Sequence, residues 1–576
     1  MTRGDAVRSD RLGPDQRAAT LAALAGGEVD VLVVGGGVTG AGVALDAAAR
    51  GLSVGVLEAG DLAIGTSSRS GKTFHGGLRY LQRLDISLVR TALHERDLMV
   101  ETLCPHLARP QPFLYPLLHR GWERAYVGAG VALYDALGGR LRGGPGVPRH
   151  RHLSRAAALR EMPALRPDVL TGAVQYWDVR VDDARHTMTV ARTAAGLGAR
   201  IATRTEVTGV LRDGDRVVGV RARDRDGGGG DFEVRARVVV NAAGVWADRV
   251  AGLAGPAGLR VAPAKGVHLV VPADRIASHT GLIARTADSV LVVRPWWRHW
   301  IIGTTDTPWS GARDDPAATG GDVDYVLSET NRWLTRPLTR DDIVGVYAGL
   351  RPLLSPAGSA DASETAALSR DHTVVETAPG MVTVTGGKYT TYRVMAADAV
   401  DLAARRLGGD IPASPTARLP LLGAAGWPAV RNQRDGLAAE SGLPVATVDH
   451  LLDRYGSRIG DLLDLVADRP DLARPVGAGY LGAEVVYAAS HEGARHLDDV
   501  LARRTHLAIE TRDRGVAAAP VVAALMGEVL GWDDARVTDE VGGWVAAVDA
   551  DRRSESAPDD ATALAARAGR PNKTHS

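Results

Sequence analysis

The sequence predicts an α/β fold with a strand-rich middle part and a separate all-helical C-terminal domain. Three observations carry this. A strand–glycine turn–helix–strand unit occupies Val29 to Glu58; short strand-like runs and turns alternate through the middle of the chain; and beyond about Pro420 the pattern becomes helical. A chain of 576 residues exceeds one hydrophobic core, so several domains are expected. The divisions read as an N-terminal arm over 1–27, a main region over 28–415, a helical domain over 420–550 and a disordered tail over 551–576.

The opening unit is the most informative. Val31 to Val34 is an apolar, β-branched run of the kind buried on both faces of a parallel sheet. It enters Gly35-Gly36-Gly37-Val38-Thr39-Gly40, a G-x-G-x-x-G turn. Val38, Val43, Ala44, Ala47 and Ala48 then recur at helical spacing, and Gly51 stands where the helix should stop. Val54 to Leu57 is a second strand, ending on Glu58. In such a unit Gly35 permits the tight turn, Gly37 lets backbone approach a pyrophosphate, and Gly40 lets helix and strand pack closely. The helix N-terminus offers unpaired N–H groups to phosphate, and Glu58 is placed to accept from a ribose diol. The unit predicts a dinucleotide and leaves NAD or FAD open, with its position at the start of a long chain leaning to FAD.

Composition excludes some classes. Basic and acidic residues balance at 68 each, so no global field invites nucleic acid. The single cysteine, Cys104, excludes an internal disulfide or a cysteine metal cluster and points to a reducing compartment. Met1 to Gly27 lacks the apolar core of a signal peptide, and no run of about 20 uncharged apolar residues offers a membrane span. Only four of the 68 basic residues are lysines: Lys72, Lys265, Lys388 and Lys573. A chain so biased to arginine should keep lysine where arginine does not fit, and the first three lie beside glycine in segments of interest.

After Glu58 comes a hydroxyl-rich loop, Thr66-Ser67-Ser68 to Lys72, then His75-Gly76-Gly77-Leu78-Arg79-Tyr80. Small residues here let a flat polar ligand approach. A helical region is expected to about Leu137, with Tyr126 to Leu141 as a packed helix. Ala136 to Arg160 contains no acid and six arginines around a Gly-Gly-Pro-Gly loop, a basic segment that suits solvent or anionic lipid. Arg216–Arg223 and Phe232–Val240 flank a glycine run and read as a hairpin whose second arm enters Asn241-Ala242-Ala243-Gly244. Strands are expected at 268–271, 289–294, 300–303 and 382–385, the last running into Gly386-Gly387-Lys388-Tyr389-Thr390-Thr391. That second glycine turn suits a helix N-terminus facing a flavin ring or a phosphate. Helices are expected around Val448–Tyr455 and Ile459–Val466 and over Ser490–Leu501.

Two motifs fail on geometry. His491 and His496 are five apart, which on a helix separates them by about 140°, so no metal site is read there. Gly71-Lys72-Thr73 lacks the earlier glycine of a phosphate-binding P-loop.

Taken together, these segments resemble the FAD-dependent glycerol-3-phosphate dehydrogenases. The matching residues are the turn at 35–40, Thr66-Ser67-Ser68 with Lys72 and His75 to Leu81, Trp177 with Val181 to Arg185, and Asn241 to Gly244. Ile302 to Asp306, Arg340 to Ile343, Gly349 to Leu353, Gly386 to Arg393, and Tyr487 through Thr505 match as well. The resemblance runs from about Val29 to Leu530 and is weakest in the arm, the basic loop and the tail. It implies an FAD-binding Rossmann-like domain interleaved with an antiparallel-sheet substrate cap. It implies oxidation of sn-glycerol 3-phosphate to dihydroxyacetone phosphate, with hydride passing from C2 to flavin N5 and electrons going on to a quinone-type acceptor.

On the site, the resemblance implies His75 as base with His268 next in line, Arg351 and Lys388 beside the reacting centre, and Arg79, Tyr80, His268, Arg340 and Arg351 around the substrate. FAD would be held by Gly35, Gly37, Gly40, Glu58, Thr66, Ser67, Ser68, Gly244, Gly386, Gly387, Lys388 and Thr390. It further implies a cytoplasmic protein peripheral at the inner face of the cell membrane and leaves a homodimer open. A glycerol-3-phosphate oxidase using O2, or an FAD-dependent amine or amino-acid oxidase of the same fold, is the alternative.

Overall fold

The chain was analysed as a computed structural model that describes residues 10–81, 85–139, 146–227, 230–256, 258–286, 290–355 and 372–568. The N-terminal arm carries a helix, α1 (Pro14–Ala25), pinned by fully buried Leu24 and by Arg17, which bonds Asp224 at 2.6 Å. Then come β1 (Glu28–Val34), α2 (Val38–Ala49) and β2 (Val54–Leu57), the predicted unit. Strand β1 pairs in parallel with β2 and with β4 (Asp231–Asn241), and β2 pairs with β3 (Arg200–Ala202). On the other side β4 pairs with β8 (Met381–Gly386), and His372–Ala378 closes that edge antiparallel. Helices α2, α4 (Asp183–Gly196) and α5 (Tyr392–Leu407) bury Ala44, Met188, Ala191, Met395 and Ala399 in one cluster with Val31, Val33 and Val56 of the sheet. The expected hairpin forms between Arg216–Asp224 and β4.

The second sheet is almost wholly antiparallel and has ten strands. Its centre is β5 (Arg260–Pro272), paired with β6 (His299–Gly303) and β7 (Gly345–Ser355). Its remaining strands come from the segments between those of the first sheet, so the two domains interleave as expected.

Four local expectations change. The helical region before Leu137 is interrupted by a strand, Arg109–Leu117, where Pro110, Pro112 and Pro116 remove the amide donors a helix needs. The packed helix is α3 (Trp122–Leu137): it buries Val131, Tyr134 and Asp135, but Trp122 is 65% exposed and Tyr126 56%. The basic segment becomes strand at Arg151–Ser154 and helix at Arg155–Glu161, and residues 140–145 lie outside the described residues. Ser490–Leu501 is not one helix: the helix Gly482–His491 ends before Gly493, whose φ of +70° turns the chain, and a wide, π-type helical turn follows at Asp499–Arg504.

The tail also differs. A helix runs from Asp534 to Ser554, and a last one, α6 (Asp560–Arg567), folds back on the second sheet; Asp559 caps it by accepting from the Thr562 amide. Its apolar contribution is only Ala557, Ala563 and Leu564, too sparse to show as periodicity. The helical domain is fastened to the rest by buried ion pairs: Arg503 and Arg504 with Asp61, Arg185 with Glu492, and Arg454 with Asp182.

Candidate active site

A single large cavity of about 640 Å³ lies where the two sheets meet, at the carboxyl ends of β1 and β2. Gly35, Gly37, Glu58, Thr66, Ser67, His75, Tyr80, Gly244, His268, Arg351, Gly386, Gly387, Lys388 and Thr390 all line it.

The glycine turn is sterically committed. Gly35 has φ +112°, and a Cβ there would stand 2.7 Å from the Ala242 carbonyl oxygen. A Cβ on Gly40 would fall 1.9 Å from the Gly35 carbonyl oxygen, so Gly40 acts in packing and does not line the cavity. Helix α2 starts at Gly37, which has no side chain to cap it, leaving the N-terminal turn open to the cavity. Ser67 Oγ accepts from the Val38 amide at 2.9 Å, tying the hydroxyl loop to the turn. The Glu58 carboxylate accepts from the amides of Gly36 (2.6 Å) and Gly60 (2.7 Å). Burial pushes the Glu58 carboxyl above its ordinary range while those amides pull it back. This open helix terminus, with a carboxylate one strand away, fits the pyrophosphate and ribose of a dinucleotide.

At the second glycine turn, Gly386 and Gly387 both have positive φ, and Lys388 leads into α5 through a short turn. Lys388 Nζ lies 3.7 Å from the Tyr80 ring centroid, a cation–π contact inside the cavity. His75 is held by its own amide, which donates to Thr390 Oγ1 at 3.1 Å. The next amide, Gly76, donates to the Tyr134 hydroxyl, which donates to Asp178, itself paired with Arg96. Burial lifts the Asp178 carboxyl to about 6 against the pull of Arg96 and Tyr134.

Strands β5 and β7 present the other wall. His268 stacks on Tyr347, and burial, then Arg294, Arg351 and Lys72, hold its imidazole well below the usual pKa. Its Nδ1 is buried without a hydrogen-bond partner among the described residues. The Arg351 guanidinium donates to Asp306 (3.1 Å), to Thr304 Oγ1 (3.3 Å) and to the Thr305 carbonyl (3.1 Å), which fixes its plane. Arg351, Lys388 and two imidazoles thus share one cavity, a donor set suited to an anionic, hydroxylated substrate.

Two further expected residues, Arg340 and Ser68, stand outside the cavity lining. Arg340 is not a cavity residue: it bonds Asp324, the Gly320 carbonyl and the Glu555 carbonyl on the outer surface. Ser68 turns away as well, and its carbonyl accepts from Lys72 Nζ. The Arg79 backbone lies in the short helix Leu78–Leu81, and its side chain is outside the described residues. Lys72 is structural: fully buried, it pairs with Asp183 and sits against the rings of Trp296 and Tyr347. Tyr134, Asp178, Arg294 and Tyr347 carry no sequence signal, because each acts through a partner distant in the chain.

Comparison with known proteins agrees with this arrangement. Residues 30–393 match the family described as FAD dependent oxidoreductase, and residues 414–537 match the C-terminal domain of alpha-glycerophosphate oxidase. The chain is 52% identical over 563 residues to glycerol-3-phosphate dehydrogenase 2 of Mycobacterium tuberculosis, covering 97% of this chain and 95% of that one. It is 35% identical over 556 residues to the mitochondrial glycerol-3-phosphate dehydrogenase of Bos taurus, covering 92% of this chain and 75% of that one. Among solved structures it is similar to the glycerol-3-phosphate dehydrogenase from Bacillus halodurans complexed with FAD. That likeness has a TM-score of 0.77 at 27% identity, with 94% of this chain and 98% of that one covered.

Proposed function

The chain belongs to the FAD-dependent glycerol-3-phosphate dehydrogenases, and from that premise we propose how its own residues carry the oxidation of sn-glycerol 3-phosphate to dihydroxyacetone phosphate. FAD, when bound, supplies the acceptor for the hydride leaving C2. Gly35, Gly37, Ser67 and Glu58 would hold its pyrophosphate and ribose, and Gly386, Gly387, Lys388 and Thr390 would hold its ring end.

Arg351 binds the substrate phosphate, its guanidinium already oriented by Thr304, Thr305 and Asp306. The observation that carries the reading is the state of His268. Its burial and cationic neighbours keep the imidazole neutral near pH 7, so it is ready to take the proton of the C2 hydroxyl. We take His268 ahead of His75 as the base because it lines the cavity beside Arg351 and stacks in a fixed plane on Tyr347. His75, fixed through Thr390 and the Tyr134–Asp178 pair, orients the substrate hydroxyls. Lys388 offsets the negative charge that develops opposite the leaving hydride.

Electrons then pass to a quinone at the membrane surface. No helix among the described residues is long and apolar enough to cross a membrane. The exposed face of α3, with Trp122, Tyr126 and Leu133 beside Leu118, suits shallow contact with lipid, and Arg120 and Arg124 supply positive charge there. Holoprotein given glycerol 3-phosphate and a soluble quinone should yield dihydroxyacetone phosphate, and vesicles of anionic lipid should retain it at low salt. Absence of that product would overturn the reading; full retention of a Trp122→Ser/Tyr126→Ser variant would remove α3 from it.

A further inference from the structure

Lys265 is buried on the side of β5 away from the cavity, and the chemistry above does not use it. Only 2% exposed, its ammonium is shared between Asp322 and Asp560 and lies 5.2 Å from the centroid of the Trp309 ring. Asp322 lies in the first turn of a helix, Gly320–Asn331, in the second sheet's own domain, whereas Asp560 is the first residue of α6, beyond residue 537 where the match to the family's C-terminal domain ends.

The place of Lys265 in the sheet gives this pair its consequence. Lys265 stands directly opposite Leu350 across the β5–β7 ladder, one residue from Gly266 and Arg351, which face the cavity. Leu350 is buried with Ala557, Ala563, Trp309, Ala317 and Val245 in one small cluster, so the terminal segment grips both strands from behind. The segment is anchored on either side. The Ala557 carbonyl accepts from the Gly320 amide at 2.9 Å, Glu555 pairs with Arg514, and Arg567 pairs with Asp315 and donates to the Pro316 carbonyl. On the cavity side, the Leu350 carbonyl accepts from Thr66 Oγ1 at 2.7 Å. Strand β7 is therefore clamped between the hydroxyl loop in front and the terminal segment behind, with Arg351 projecting from it.

We propose that Glu555–Arg567 is a strap that sets the height of β5 and β7 in the substrate site, which makes Asp560 and Lys265 positioning residues for the phosphate held by Arg351. The inference rests on the assignment of Arg351 to the substrate phosphate. Removing the Asp560 charge leaves a buried lysine half-compensated and frees the strap from β5. The two glycine turns of the flavin cradle, at 35–40 and 386–387, lie on other elements and keep their contacts.

The test uses the full-length holoprotein. Asp560→Asn should raise KM for glycerol 3-phosphate about tenfold while kcat stays within about twofold and flavin content is unchanged. Limited proteolysis should show faster cleavage between 555 and 567. Asp560→Glu, which keeps the charge beside Lys265, should restore KM. The proposal is overturned if Asp560→Asn frees the strap to protease with KM unchanged, or if kcat and flavin content fall along with the rise in KM, as in general destabilisation. A wild-type holoprotein whose flavin is not reduced by glycerol 3-phosphate overturns the assignment of the substrate, and this inference with it. A reducible wild type with a normal KM in Asp560→Asn overturns the strap alone.

Discussion

The His268 imidazole lies flat on the Tyr347 ring, with centroids 4.8 Å apart and planes 11° from parallel. The Tyr347 hydroxyl in turn donates to the Ser70 carbonyl at 3.1 Å, so the stack is tied to the hydroxyl loop that also touches the glycine turn. An imidazole held this way presents one orientation to the cavity, and burial and three nearby cations push its pKa well below the usual value.

Loss of the base should appear in the chemical step. His268→Ala is expected to slow flavin reduction by about 10²–10⁴ at saturating substrate, the range for a missing general base, with little change in flavin content. His75→Ala should act mainly on KM. Rapid-mixing absorbance of the flavin band separates the two, and the reverse pattern would return the base to His75.

Arg351 should act on binding. Arg351→Lys keeps the charge but loses the planar fork that meets Thr304, Thr305 and Asp306 on one side and phosphate on the other. Substrate affinity should fall roughly ten- to a hundredfold, equivalent to about 1.4–2.8 kcal/mol. Equilibrium binding of a non-reacting phosphate ester to oxidised protein checks this, and unchanged affinity would remove Arg351 from the phosphate site.

A pH effect should arise far from the cavity. His496 bridges the hairpin and the helical domain, its ring nitrogens 3.1 Å from Asp226 and 2.8 Å from Glu540. Burial opposes its charge, but those two carboxylates prevail and raise its pKa to about 9. A histidine with a raised folded pKa stabilises the fold fully below its unfolded value of about 6.5 and loses that contribution as pH rises through about 9. Thermal stability should decline across that window by on the order of 1–3 kcal/mol, and His496→Gln should flatten the slope. A slope that persists in the variant would place its origin elsewhere.

Much of the fold could be read directly because its determinants are local. The Val31–Val34 run, the glycines at 35, 37 and 40, and Glu58 follow one another within a single βαβ unit and appear where expected. The site was legible in its residue types and less so in their directions. Arg340 matches the family pattern, yet its guanidinium is taken by Asp324 and two carbonyls on the surface, which no spacing rule reveals. The Tyr134–Asp178 support of the His75 loop joins a helix to a strand of another layer, so it exists only after folding. Lysine scarcity was informative: Lys72 and Lys265 both proved to be buried ion-pair centres, where a compact ammonium fits between rings and carboxylates. The order of the tail has no local signal in the sequence, because its hold on the body is mostly ionic and comes from residues far away in the chain.

Anaerobic titration of the purified flavoprotein tests the central claim most directly. Glycerol 3-phosphate should bleach the oxidised flavin band with an endpoint near one substrate per flavin, while glycerol, lacking the phosphate that Arg351 binds, and amino acids should leave the spectrum unchanged. Bleaching by an amino acid, or an unchanged spectrum with saturating glycerol 3-phosphate, would contradict the account.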